Sequence, residues 1–143
     1  MSAIREAAPT EKPMARPTAL VIDDNRDVAT ALTALCRAVG FDAAALNGGD
    51  RVERLLAERR PDCLLVDIMM PDEDGYEVLK AVAAVDPSIA VLLISGHGET
   101  WLRMGVTLGE AHGIRLVQAT TKPVRIDTLR RFFAAVTAGK NSG

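Results

Sequence analysis

The sequence predicts an α/β sandwich in which a doubly wound, five-stranded parallel sheet carries helices on both faces. Two features predict it. Short apolar runs alternate five times with amphipathic stretches, the pattern of fully buried strands and the helices that cover them. The 143 residues are 48% hydrophobic and 25% charged, enough apolar mass for one core of ordinary size. Right-handed crossovers between parallel strands then put helices on either side of the sheet.

The elements follow in order. Ala19, Leu20, Val21 and Ile22 form the first strand, ended by Asp23, Asp24 and Asn25. Val28, Leu32, Leu35 and Val39 recur at helical spacing over 26–39, and Gly40 is placed to stop that helix. Residues 41–46 read as a weaker second strand. A helix over 50–59 buries Val52, Leu55 and Leu56 and ends before Pro61. Cys63, Leu64, Leu65 and Val66 make a third strand that runs into Asp67. A polar loop to Gly75 leads to a helix over 76–85, closed by Asp86 and Pro87. The fourth strand is 89–94, followed by a loop of Ser95, Gly96, His97 and Gly98. Residues 101–112 read as a helix stopped by Gly113, and 114–119 as the fifth strand. Lys122 and Pro123 lead to a last helix over 125–138. Residues 1–17 hold three of the seven prolines without periodicity and read as a mobile tail, and 139–143 as a C-terminal tail. The domain proper is expected over 18–138.

Composition excludes several classes. Seventeen basic against nineteen acidic residues give a net charge of −2, which argues against a nucleic-acid binder relying on positive charge. Aromatics are 3% of the chain, too few for base-stacking platforms. No apolar run reaches the roughly 18 residues of a membrane span, and the N-terminus lacks a signal-peptide pattern. Cys36 and Cys63 lie in apolar runs without metal-ligand spacing and read as reduced core residues of a cytoplasmic protein.

In such sheets the ligand crevice lies at the carboxyl ends of the strands, at a topological switch point. There the sequence puts Asp23 and Asp24, Asp67, Ser95, and Thr121 with Lys122. Three close carboxylates repel unless a cation joins them, and an oxygen-only donor set suits Mg²⁺. A lysine opposite supplies a second positive point for a phosphoryl group. The chemistry described is phosphoryl transfer to a carboxylate, with Asp67 as acceptor because it stands alone after the most continuous apolar strand. Against this stand ordinary readings: helix capping for Asp23 and Asp24, a loop acid for Asp67, a turn residue for Ser95 and a surface amine for Lys122. Asp72, Glu73 and Asp74, between Pro71 and Gly75, read as a solvated turn. His97 reads as a loop residue and His112 as a helix-end residue. Trp101, Met104 and Leu108 form a stripe that is either core-facing or an exposed partner patch.

The motifs V-I-D-D-N (21–25), L-L-V-D-I-M-M-P-D-E-D-G-Y (64–76), L-L-I-S-G-H (92–97) and T-K-P (121–123) occur in order, each at a strand end. In this the chain resembles the two-component response-regulator receiver domain over roughly 18–138. The resemblance implies a flavodoxin-like strand order of 2-1-3-4-5. It implies that Asp67 is phosphorylated by a histidine kinase or histidine phosphotransfer protein. It also implies Mg²⁺ held by Asp24, Asp67 and the backbone carbonyl of Met69, with Asp23 acting mostly through water. Ser95 would hydrogen-bond the phosphoryl group, and Lys122 would pair with it beside a cis peptide before Pro123. Neither an enzyme acting on other molecules nor a nucleic-acid or membrane binder is expected, and the chain reads as a monomer or weak dimer.

Three departures from the family pattern stand out. The position three before the lysine, usually Phe or Tyr, is Ala119. The stretch 95–122 is longer than usual and holds Gly105 and Gly109, which predict a weak or bent helix and make 99–113 the expected bistable element. After the last helix come only five residues, which reads as a stand-alone module. The alternatives are a phosphate sink or docking module without a working switch, and the receiver part of a longer protein such as a cyclic-dinucleotide phosphodiesterase. Two rivals on similar sheets fit less well. An aspartyl-phosphate phosphohydrolase would want an acid where Met69 stands, and a flavin module would find Asp23 and Asp24 repelling its phosphate.

Overall fold

The computed structural model describes residues 16–46, 52–68, 75–96 and 99–142. Its elements are β1 (Thr18–Ile22), α1 (Arg26–Val39), β2 (Asp42–Ala45), α2 (Val52–Arg59), β3 (Cys63–Asp67), α3 (Gly75–Val85), β4 (Ala90–Ser95), α4 (Glu99–Ala111), β5 (Val117–Thr121) and α5 (Ile126–Ser142). All strand pairs are parallel and the order is β2-β1-β3-β4-β5. The five predicted βα units and the flavodoxin-like order are therefore present. None of the helices among the described residues is long and apolar enough to cross a membrane.

Alternation along the strands splits the core in two, because successive side chains point to opposite faces. Leu20, Ile22, Leu64, Val66, Val91 and Leu93 pack with α2, α3 and α4. Ala19, Val21, Cys63, Leu65, Leu92 and Ile94 pack with α1 and α5. Every residue of β3 and β4 is buried, which explains why those strands read as unbroken apolar runs. Cys36 and Cys63 are free, buried thiols on the α1/α5 side.

Helix ends follow local chemistry. Asn25 caps α1, its side chain accepting from the amides of Asp27 and Val28 at 3.0 and 3.1 Å. The cap is thus Asn25 rather than Asp23 or Asp24. Gly40 closes α1 at φ 132°, with its N–H bonded to the Cys36 carbonyl. A side chain there would also collide with the Phe133 ring, 2.9 Å from where a Cβ would sit.

Two boundaries differ from expectation by more than two residues. The fifth strand begins at Val117, not 114, and continues to Thr121. Residues 113 and 114 instead terminate α4: Gly113 at φ 87° donates to Glu110, and Ile114 donates to the Gly109 carbonyl at 3.1 Å. This is a Schellman closure with a buried apolar residue after the glycine, and apolar content alone cannot separate it from a strand. The last helix runs to Ser142, so residues 139–142, expected as tail, are helical. Gly139 does not stop it; its missing side chain admits the Arg115 guanidinium against the helix.

Helix α4 is one uninterrupted helix of 13 residues that contains both glycines. Both glycines are buried at close approaches to the sheet. A Cβ on Gly105 would lie 2.6 Å from Leu93 Cδ1, and one on Gly109 would lie 2.9 Å from Val117 Cγ2. Each costs about 1 kcal/mol of helix propensity, which close packing offsets.

Candidate functional site

The chain runs β1 to β2 toward one edge and then crosses to β3 on the other side of β1, so the strand order reverses between β1 and β3. Crevices open at the carboxyl ends of strands flanking such a reversal. Register sets what lies there. Ile22 pairs with Val66, Asp67 with Ile94, and Ser95 with Thr121. Asp23 therefore comes level with Asp67, while Ser95 and Lys122 each follow one step beyond their neighbours' pairing.

Asp23 and Asp67 are buried, at 8% and 5% exposure, Asp24 is exposed, and Ser95 is fully buried. Carboxylate oxygens of Asp23, Asp24 and Asp67 all lie within 4.8 Å of one another. Into this cluster reaches the Lys122 ammonium, which donates to Asp67 Oδ2 at 2.9 Å and Asp23 Oδ2 at 3.2 Å. The other Asp23 oxygen accepts from the Asn25 amide at 2.9 Å, tying the acid to the start of α1. The Lys122 backbone N–H is bonded to the Ser95 carbonyl at 2.9 Å, and the Lys122–Pro123 peptide is cis.

Partial burial of the ammonium works against its charge, but the hydrogen bonds and charges of Asp67 and Asp23 outweigh that and raise the Lys122 pKa. The amine is held protonated between two acids. Three carboxylates against one ammonium leave net negative charge in a notch open on the Asp24 side. Such an all-oxygen set suits a hard divalent cation of Mg²⁺ type.

Of the residues singled out in the sequence, Asp23, Asp24, Asp67, Ser95 and Lys122 thus converge on one sheet edge. Met69, the 72–74 acids and His97 lie outside the described residues. His112 is exposed just past the end of α4. Trp101 and Met104 face solvent at 44% and 52% exposure, which decides the stripe in favour of an exposed patch, although Leu108 packs against the core.

Two features escaped the sequence reading. Val28, Ala31 and Leu35 of α1 with Pro123 and Val124 line an apolar cavity of about 480 Å³ that borders Gly96 and Lys122. Tyr76, at the start of α3, donates its hydroxyl to the Trp101 carbonyl of α4 at 2.8 Å. The first could have been sought in the apolar residues of α1 nearest Lys122. The second had no sequence signal beyond being the single tyrosine.

The sequence profile of the response regulator receiver domain matches residues 19–133. The chain belongs to that family. Receiver domains of this kind typically bind Mg²⁺ in an acidic pocket, and Asp23, Asp24 and Asp67 form an acidic cluster here. Among relatives, the transcriptional regulatory protein PrrA of Mycobacterium tuberculosis is 38% identical over 81 residues, 57% of this chain and 35% of that protein. The DNA-binding response regulator MtrA of Mycobacterium leprae is 32% identical over 98 residues, covering 68% and 42%. The chain thus spans about two fifths or less of these relatives' length. Among solved structures, the receiver domain of a modulated diguanylate cyclase from Desulfovibrio desulfuricans superposes with TM-score 0.70 at 25% identity, covering 90% of this chain and all of that one. A receiver domain from Clostridium thermocellum gives TM-score 0.75 at 21% identity, covering 88% and 98%, and shares the fold. In this receiver domain, Ala119 is an exposed residue of β5.

Proposed function

We propose that this receiver domain is a phosphoacceptor module of a two-component system, taking a phosphoryl group on Asp67 from a histidine kinase or histidine phosphotransfer protein. The observation that carries the reading is the Asp67 carboxylate held 2.9 Å from the Lys122 ammonium, within a three-carboxylate cluster at the sheet's switch point. An Asp67 oxygen attacks phosphorus, the phosphorus–nitrogen bond to the donor imidazole breaks, and its electron pair stays on the imidazole nitrogen, which takes up a proton. The product is an acyl phosphate. Lys122 offsets charge on the transferred group, and the Ser95 hydroxyl donates to one of its oxygens. Asp23, Asp24, Asp67 and the Met69 carbonyl are the residues that would hold Mg²⁺, which when bound supplies further neutralisation of the phosphoryl oxygens. The apolar cavity beside Lys122 offers a protein donor a surface next to the acceptor.

In this reading the domain modifies only its own aspartate and signals through protein contacts. Ala119 favours one alternative, a module that stores or docks without a working switch, since no ring at that position reports on Ser95.

Intact-mass measurement with a small acyl-phosphate donor and Mg²⁺ tests the proposal. Wild type gains one phosphoryl group, whereas Asp67→Asn and chelator-treated protein gain none. Phosphoryl uptake undiminished in Asp67→Asn overturns it.

A further inference from the structure

Tyr76 and Trp101 join the two helices that leave the acidic notch. Helix α3 starts eight residues after Asp67, and α4 starts four residues after Ser95. The Tyr76 hydroxyl donates to the Trp101 carbonyl at 2.8 Å. That carbonyl's intrahelical partner is the amide of residue 105, and its second lone pair serves Tyr76. Gly105 makes the approach possible: a Cβ there would lie 3.3 Å from Tyr76 Cε1. The sole tyrosine, the sole tryptophan and a buried glycine thus form one joint.

The rest of α4 is fixed differently. Gly105 sits against Leu93 and Gly109 against Val117, so its middle and end are seated on the sheet. Leu102, in the first turn, is buried, but apolar packing is non-directional and tolerates sliding. A hydrogen bond weakens steeply with distance and angle. Among these contacts, the Tyr76 bond is the one that a small displacement of the first turn breaks.

We propose that Tyr76 couples the phosphorylation state of Asp67 to the exposed Trp101 face of α4, by a bond that holds in the phosphate-free domain and opens when Ser95 turns to the phosphoryl group. This rests on the reading of Asp67 as phosphoacceptor. A phosphoryl group on Asp67 gives the buried Ser95 hydroxyl new acceptors. Ser95 ends β4 four residues before α4 begins, so its shift is passed along the chain to residues 99–102. The relay runs from the notch through Ser95 to the joint and needs no ring at Ala119. The two arrangements it distinguishes are the bonded one and an open one that the phosphorylated state would favour.

The test compares wild type with Tyr76→Phe, which keeps the ring over Gly105 and removes only the donor. Both are treated with a small acyl-phosphate donor and Mg²⁺. Intact mass, hydrogen exchange of amides 102–105 and Trp101 emission are read on the same samples. In wild type, phosphoryl uptake speeds exchange there roughly fivefold, the factor expected for one net hydrogen bond, and alters Trp101 emission. Untreated Tyr76→Phe already shows the faster exchange; it takes up phosphoryl as wild type does, with less than about half the wild-type change in exchange and emission. Equal phosphorylation-dependent changes in the two proteins overturn the coupling while leaving the phosphoacceptor reading standing. So does a phosphorylated wild type whose 102–105 amides are unchanged. Absence of phosphoryl uptake in wild type overturns both.

Discussion

Lys122 bridges two buried acids, and its removal takes the ammonium from between Asp23 and Asp67. Stranding a buried charge costs several kcal/mol, but Asp24 and the open side of the notch admit solvent. Lys122→Met is therefore expected to lower metal-free stability by about 1–2 kcal/mol, with most of the loss restored by Mg²⁺, as read from denaturant midpoints with and without the ion. The buried thiols give a second expectation. Burial pushes Cys36 from its ordinary 9.0 up to about 12, and raises Cys63 as well, with the neighbouring Cys36 and Asp62 adding to the effect. The unfolded chain thus ionises its thiols first, so their contribution to stability is intact below about 9 and is lost as pH rises from there toward about 12. Replacing Cys36 by Ala should flatten that alkaline decline, which chemical denaturation at several pH values measures; an unchanged slope contradicts the assignment. The acids were legible because each follows an apolar run. Tyr76 was not, because its partner is a backbone carbonyl 25 residues away, and every residue has one.

At the scale of the element, α4 shows what composition leaves out. The sequence records that Gly105 and Gly109 weaken a helix, but not that Leu93 and Val117 come within 3 Å of their absent side chains. Gly105→Ala and Gly109→Ala each gain about 1 kcal/mol of helix propensity and lose about 1–3 kcal/mol to overpacking. A net destabilisation of about 1 kcal/mol is expected, larger at Gly105, where the approach is closer, and urea unfolding reads it. An exposed glycine in a helix would show the opposite sign, so either substitution proving stabilising rejects the packing account. The strand boundary at Val117 has a similar cause. Ile114 is apolar and buried like a strand residue, yet its amide closes α4, and which partner an amide takes is invisible to hydrophobic periodicity. Boundaries set by turn chemistry alone, such as Asn25 and Gly40 around α1, stood closer to the sequence because the residue type itself does the capping.

For the whole molecule, topology converts five separated sequence positions into one site. Parallel pairing fixes the register of β1, β3, β4 and β5, so residues just past each strand meet whatever the loops do; that is why the site was legible once the strands were. The order of the strands followed from the family resemblance, because periodicity places no strand beside another. The same convergence would link folding to cation binding at the proposed site, since the unfolded chain scatters Asp23 and Asp24 far from Asp67. A ligand bound only by the folded state stabilises it by about 2.7 kcal/mol at one hundred times its dissociation constant. Saturating Mg²⁺ should therefore raise the melting temperature by several degrees, and chelation should reverse it. Asp24→Asn separates a metal site from a merely acidic surface. Asp24 is exposed, so its loss costs the metal-free fold little and relieves repulsion within the cluster. The variant should melt at or above wild type without the ion and gain almost nothing when it is added. If Asp24→Asn instead keeps the full Mg²⁺ increment, the cation is bound elsewhere and the notch is left with Lys122 as its sole counter-charge.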